Sequence, residues 1–191
     1  MEEDNKKSKL EIFKYNVILS ALFFLASTIY LGSKIPNYDL SKYTISEISF
    51  FLNDKQLPFF NLIFIVKCII DLSFTFYVFK KFKLKLISFT AFIWLTAFLS
   101  FGLIGFFPES KFKIIHWFIA GCVFLFFPIS QYAMAKLTKH ESFKYFTNNL
   151  VVIQLLTLFL FMVFNRINGI FEIIYFLLVF FWQIIFISVF L

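Results

Sequence analysis

Six polar residues that could share one piece of chemistry are spread over four parts of the chain: Ser46, Glu47, Asn61, Glu109, His116 and Glu172. A histidine with carboxylates is the usual kit for general acid–base work. A serine hydroxyl becomes a nucleophile when a neighbouring base takes its proton. On this reading His116 is the acid/base and Glu47 or Glu172 its partner. Ser46 is the nucleophile or a binding hydroxyl, and Asn61 and Glu109 line the site. Each residue also has a plainer explanation. Glu47 can close a capping box with Thr44. Glu109 and Glu172 suit helix N-termini, where the macrodipole is positive. His116 beside Trp117 suits the aromatic belt at a membrane interface.

A second constellation is Lys67 and Asp71. A spacing of four puts them on one face of a helix. Ionisable residues inside a bilayer are costly, which makes them functional candidates by default. The functional reading is a binding, proton or ion step. The structural one is a mutual salt bridge that fixes helix rotation, and a single pair without further acids at that depth favours it.

The elements that must position these residues are membrane helices. The 191 residues are 61% hydrophobic and 15% charged, with mean hydropathy +0.86 and 34 phenylalanines. Soluble domains are only about 45–50% apolar and about a quarter charged. A bilayer core needs about 20 apolar residues per helix. Runs of that kind lie at about 15–33, 58–79, 86–107, 114–135, 149–165 and 171–190. They are continuous rather than alternating, which points to helices and not to a β-barrel. The expected fold is therefore all-α: a single integral membrane domain of six transmembrane helices. Residues 1–13 form a mixed-charge tail expected to be mobile.

Eleven Lys fall at the N-terminus and in the second and fourth loops, against six Lys and Arg, including Arg166, in the other loops. The positive-inside rule then puts the N-terminus in the cytoplasm, and six spans put the C-terminus there too. Ser46, Glu47, Asn61, Glu109, His116 and Glu172 all come out on the extracytoplasmic side. The net charge of +7 is a topology signal on this reading and implies no nucleic-acid partner. The two histidines are distant and no ligand cluster stands out, so no metal and no cofactor are expected. Cys68 and Cys122 read as packed hydrophobes.

Finer punctuation adds four expectations. Loop 34–57 carries the capping box and then Ile48, Phe51 and Leu52 at helical spacing, so it should hold a short amphipathic helix. Pro128 should kink the fourth span. Gly102, Gly105, Ala120 and Gly121 should let helices approach closely, and Gln154 and Gln183 should hydrogen-bond between helices. His140 is given no role. No internal repeat supports an inverted-repeat transporter.

Ile45-Ser46-Glu47-Ile48 with Pro58 to Asn61, then Gly105-Phe106-Phe107-Pro108-Glu109 with His116, then Gly169 to Glu172 with Trp182, resemble three motifs of one family. It is the prokaryotic six-helix membrane family catalogued as domain of unknown function 998, distantly similar to the Frag/DRAM/Sfk group. The chain departs from the family pattern in lacking a Gly-Ala pair after Ile-Ser-Glu and in having Glu109 where Asp or another residue is expected. The resemblance implies a multi-pass protein of a prokaryotic plasma membrane. It also groups Ser46, Glu47, Asn61, Pro108, His116 and Glu172.

Three functions follow as expectations. The first is an outer-leaflet site for a lipid or lipid-linked ligand, with membrane lipids as partners and catalysis left open. The second is a non-catalytic structural or interaction protein. The third is a small transporter using Lys67 and Asp71.

Overall fold

A computed structural model describes residues 11–164 and 167–191. The expected N-terminal tail through residue 10 and the loop residue Arg166 lie outside the described residues. A 3-10 turn at Ile12–Tyr15 leads into helix α1 (Asn16–Lys34). The others are α2 (Leu57–Phe82), α3 (Phe89–Phe106), α4 (Glu109–Leu137), α5 (Glu141–Val163) and α6 (Gly169–Phe190). There are six helices long and apolar enough to cross a membrane, and no strand among the described residues.

Local chemistry explains the helix ends. Ser88 Oγ accepts the Ala91 amide at 3.3 Å, and Asn168 Oδ1 accepts the Phe171 amide at 3.0 Å. Each satisfies one of the donors a helix start leaves free. His140 does the same with Nδ1, taking the Phe143 amide at 3.2 Å. This helps α5 begin at Glu141, well ahead of its apolar run. Pro58 sits in the first turn of α2, where its missing N–H costs nothing.

Each helix packs on its sequence neighbours, and α6 closes against α1. Lys14 Nζ donates to the Leu191 carbonyl oxygen at 3.3 Å, so the beginning of α1 and the end of α6 share one end of the bundle. Inside lipid, packing rather than expulsion of water holds helices together. Here much of that packing is aromatic. Phe24 of α1 meets Phe64 of α2, Phe101 of α3 and Phe176 of α6 edge-on, with ring centroids 5.5, 4.9 and 5.8 Å apart. Such pairs contribute roughly 0.5–1.5 kcal/mol each beyond contact area. Two buried indoles are satisfied across helices: Trp94 Nε1 donates to Thr75 Oγ1 at 3.0 Å and Trp182 Nε1 to Thr147 Oγ1 at 2.9 Å.

Gly102 and Gly105 act as the sequence suggests, and Gly121 does not. A Cβ on Gly105 would lie 2.5 Å from the Asn61 carbonyl oxygen, and one on Gly102 would lie 2.6 Å from Cys68 Sγ. Glycine is what lets α2 and α3 touch there. Gly121 has nothing within 4 Å of its Cβ position, so it mediates no close approach.

The expected kink at Pro128 is not where the backbone breaks. The non-helical residue inside α4 is Phe112, with φ −134° and ψ 48°. Pro128 leaves the Phe124 carbonyl without its helical N–H partner. The Tyr175 hydroxyl of α6 donates to that oxygen at 2.5 Å. A neighbouring helix thus supplies the missing donor, as a membrane interior requires. The expectation for the glutamines also fails: neither side chain hydrogen-bonds to another helix among the described residues. Both amide atoms of Gln154, and the amide oxygen of Gln183, are buried without a hydrogen-bond partner among the described residues.

Candidate functional site

The loop between α1 and α2 builds one end of the bundle. The α6 start holds it down: Gly169 N–H donates to Tyr43 O at 2.7 Å, Ile170 N–H to Leu40 O at 3.1 Å, and Asn168 Nδ2 to Ser41 O at 2.9 Å. Free donors of a helix N-terminus find acceptors in the loop. Gly169 is needed here, because a Cβ would lie 3.0 Å from the Tyr43 oxygen.

Thr44 and Glu47 then close a reciprocal pair. Thr44 N–H donates to Glu47 Oε2 at 2.7 Å, and Glu47 N–H to Thr44 Oγ1 at 3.2 Å. The short helix expected in this loop is a 3-10 helix, Ser46–Phe50. Ile45 and Ile48 point into the core, 3% and 0% exposed. Tyr38 donates its hydroxyl to Thr44 O at 3.0 Å. Burial pushes its phenol well above the ordinary tyrosine range, and the nearby charges of Glu172, Glu47 and Asp39 push the same way.

Two carboxylates from different helices grip consecutive residues of this turn. Ile45 N–H donates to Glu172 Oε2 of α6 at 2.5 Å, and Ser46 Oγ to Glu109 Oε2 of α4 at 2.9 Å. The second oxygen of Glu109 accepts Trp117 Nε1 at 2.8 Å. His116 Nδ1 lies 2.8 Å from the Phe107 carbonyl oxygen, and its Nε2 is 3.9 Å from Glu109 Oε2. A carbonyl can only accept, so Nδ1 carries a proton and Nε2 is the ring nitrogen free of the Phe107 bond. His116 is 2% exposed and Glu109 6%.

A cavity of about 20 Å³ adjoins the cluster, lined by Ser46, His116 and Glu172 together with Phe24, Phe101, Phe176 and other apolar side chains. Its volume is that of one water-sized group. Chemically, the cluster offers a hydroxyl whose proton already points at a carboxylate and an imidazole nitrogen outside hydrogen-bond distance of that carboxylate.

The structure therefore brings Ser46, Glu109, His116 and Glu172 together. It pairs Ser46 with Glu109, not with His116 as the sequence suggested. Glu47 is engaged by the loop through Thr44. Asn61 has its amide oxygen buried without a partner and makes no hydrogen bond to the cluster among the described residues. Two participants were missed. Trp117 was assigned to the interface belt, though its indole can reach a carboxylate at the start of its own helix. The Ile45 amide belongs to the backbone and leaves no sequence signal. Among the described residues no three His, Cys, Asp or Glu are grouped to hold a metal ion.

Lys67 and Asp71 lie elsewhere, inside the bundle. Lys67 Nζ is 2.5 Å from Asp71 Oδ2, and the two side chains are 1% and 0% exposed. Ser20 of α1 donates its hydroxyl to Asp71 Oδ1 and accepts from Lys67 Nζ at 3.3 Å. The ammonium also lies over the rings of Phe101 and Phe180, 4.5 and 5.4 Å from their centroids. Ser20 went unnoticed in the sequence because a serine in an apolar run has no distinguishing pattern.

The family model described as a protein of unknown function, DUF998, matches residues 18–189. The chain belongs to the DUF998 family. The match runs from α1 to α6 and so takes in both polar clusters of this DUF998 protein. No curated protein and no solved structure matches it. Family membership and six apolar helices make it a multi-pass membrane protein of unknown activity.

Proposed function

We propose that the cluster of Ser46, Glu109, His116 and Glu172 binds the polar part of a lipid or lipid-linked molecule at the extracytoplasmic leaflet of a prokaryotic plasma membrane. The side assignment rests on the excess of Lys at the opposite end of the bundle. One observation carries the reading. The cavity is lined both by polar side chains, Ser46, His116 and Glu172, and by the rings of Phe24, Phe101 and Phe176. An amphipathic ligand needs both kinds of lining in one place. Ser46 and His116 Nε2 are the contact groups for the head, and the rings for the first part of the chain. At its present volume the cavity takes one small group, so a larger head requires the loop to lift from Glu109 and Glu172. Any chemical step would use the same groups: Glu109 taking the Ser46 proton, with His116 as acid/base.

A second reading is that the cluster only anchors the loop. The Glu172–Ile45 and Glu109–Ser46 bonds favour it. The two readings part at His116, whose polar contacts are Phe107 O and Glu109 and not the loop. His116→Asn keeps a donor near the Nδ1 position and removes Nε2. Native mass spectrometry in lipid nanodiscs compares the wild type with His116→Asn and Glu172→Ala. Binding predicts a specific adduct that His116→Asn loses without a lower melting temperature. Anchoring predicts no adduct in any form and a lower melting temperature for Glu172→Ala alone.

A further inference from the structure

The polar side chains around the outer cavity have their protons engaged and their acceptors free. Ser46, His116 and Glu172 line it, and the rest of the lining is apolar. The Ser46 hydroxyl donates to Glu109 Oε2, and its oxygen meets Thr44 Oγ1 at 3.1 Å, which leaves it one lone pair. The His116 Nδ1 proton goes to the Phe107 carbonyl. Glu172 holds the Ile45 amide with Oε2, and its Oε1 has no hydrogen-bond partner among the described residues. Both His116 and Glu172 are more than nine-tenths buried. Asn61 Oδ1 and Ser110 Oγ also lack partners, but those atoms are sealed off completely; Glu172 Oε1 and His116 Nε2 are not. The cavity that both residues line is the space those two atoms meet.

Charge narrows the occupant. No lysine or arginine lines the cavity. Lys67 lies over the Phe101 ring, but Asp71 balances its charge. A phosphate or carboxylate placed here would meet acceptors and two carboxylates, with no countercharge away from water. A hydroxyl would bring one donor and no charge. A primary ammonium brings three donors and the charge that a carboxylate pairs with best. Size agrees, because a cavity of about 20 Å³ takes one water-sized group. An –NH3+ is such a group; a trimethylammonium is larger and has no N–H. The rings of Phe24, Phe101 and Phe176 add to the fit, since a cation is attracted to an aromatic face. This molecule already makes that pairing with Lys67 Nζ, 4.5 Å from the Phe101 centroid.

We infer that the outer site selects a head group ending in a primary ammonium, which donates to Glu172 Oε1, to His116 Nε2 of the neutral ring and to Ser46 Oγ. The inference rests on the head-group site proposed above and names what that site reads. An ethanolamine phospholipid and a free primary amine both carry this group, and the experiment separates them.

The full chain is placed in nanodiscs of phosphatidylethanolamine and phosphatidylcholine in equal amounts, with the same acyl chains. Both lipids are zwitterionic, so the surface lysines treat them alike. Native mass spectrometry reads which lipid stays bound. The wild type should keep the ethanolamine lipid at least about 10-fold over the choline lipid, the discrimination of one charge-assisted hydrogen bond. Glu172→Gln leaves an oxygen for the Ile45 amide and removes the charge. It should bring the two lipids to equal retention with the melting temperature of the wild type. His116→Asn, which leaves both loop bonds in place, should lower the preference as well. A second arm adds free ethanolamine to discs of phosphatidylcholine alone. A rise in melting temperature there that Glu172→Gln lacks, with no lipid retained in the first arm, keeps the ammonium and assigns it to a soluble amine. A preference that survives both substitutions overturns the proposal. So does equal retention of the two lipids by the wild type; if His116→Asn then loses both, the head-group site stands and only the ammonium falls. No adduct in the first arm and no shift in the second overturns both.

Discussion

Two buried carboxylate clusters divide this molecule's polar chemistry, and they are built in opposite ways. The inner one is made by helices alone. Lys67 and Asp71 are four residues apart on α2, and Ser20 completes the set from α1. The charges cancel, and aromatic faces cover the ammonium. The outer one is assembled by a loop. Glu109 and Glu172 come from helices that are not adjacent in sequence, and the consecutive loop residues 45 and 46 bond one to each. No lysine pairs with either carboxylate among the described residues, and His116 Nε2 stays 3.9 Å away. A cluster that satisfies itself has little left for a ligand. A cluster with spare capacity beside a cavity does, and this contrast separates scaffold from candidate site.

The largest test is to break the inner cluster. Asp71→Asn leaves Lys67 charged and unpaired in the bundle, and breaking a buried pair costs about 3–5 kcal/mol. We expect a large fall in the melting temperature in detergent. The double replacement Lys67→Met with Asp71→Leu should recover most of it, because an apolar pair of similar volume removes both charges. Recovery of the fold together with loss of function in cells would instead favour the transporter reading of this pair. The next effect is at the outer cluster. Glu172→Ala strips the buried Ile45 amide of its acceptor, a loss of about 1–3 kcal/mol if the loop stays folded over it. Hydrogen exchange should rise first at Ile45 and its neighbours, while α2 around Lys67 stays protected. Equal deprotection of both regions would erase the distinction drawn between them.

The two clusters also differ in how far the sequence revealed them. The Lys67–Asp71 pair was legible because helical spacing alone puts four-apart residues together. The outer cluster was legible as one end of the bundle, through the order of the helices, but not as a set of bonds. Hydropathy says that Glu109, His116 and Glu172 lie at similar depth. It does not say which of them the Ser46 hydroxyl meets, since that depends on how a non-repeating loop is strapped to α6. The same limit explains Pro128. The sequence shows that the Phe124 carbonyl loses its partner, but only packing shows Tyr175 supplying another. Gln154 and Gln183 failed as hydrogen-bond formers for the mirror reason: composition gives a donor and an acceptor, and packing decides whether either is met.

A smaller test concerns the reciprocal bonds that start the outer turn. Thr44→Val keeps shape and removes the hydroxyl that the Glu47 amide uses. Loss of a cap of this kind costs about 1 kcal/mol. If the outer cluster depends on the loop as argued, lipid retention at that site should weaken with stability, while hydrogen exchange around Lys67 should stay slow. Faster exchange there would mean that the loop controls the whole bundle.

The smallest effect appears only at high pH, and it carries a definite sign. The Tyr38 phenol is raised above its ordinary value of about 10, first by burial and then by the charges of Glu172, Glu47 and Asp39. Above pH about 10 the unfolded chain releases this proton before the folded one does, so the native state holds more protons. Stability contributed by the neutral phenol is complete below that pH and falls as the pH rises beyond it. Tyr38→Phe removes the group that titrates. Its melting temperature should therefore decline less than that of the wild type between pH 9 and 11.5, measured in the same detergent. The loop should be the part that loosens, because Tyr38 bonds to Thr44 O at its base. Parallel alkaline curves for the two proteins would show that Tyr38 does not hold the loop over the outer cluster.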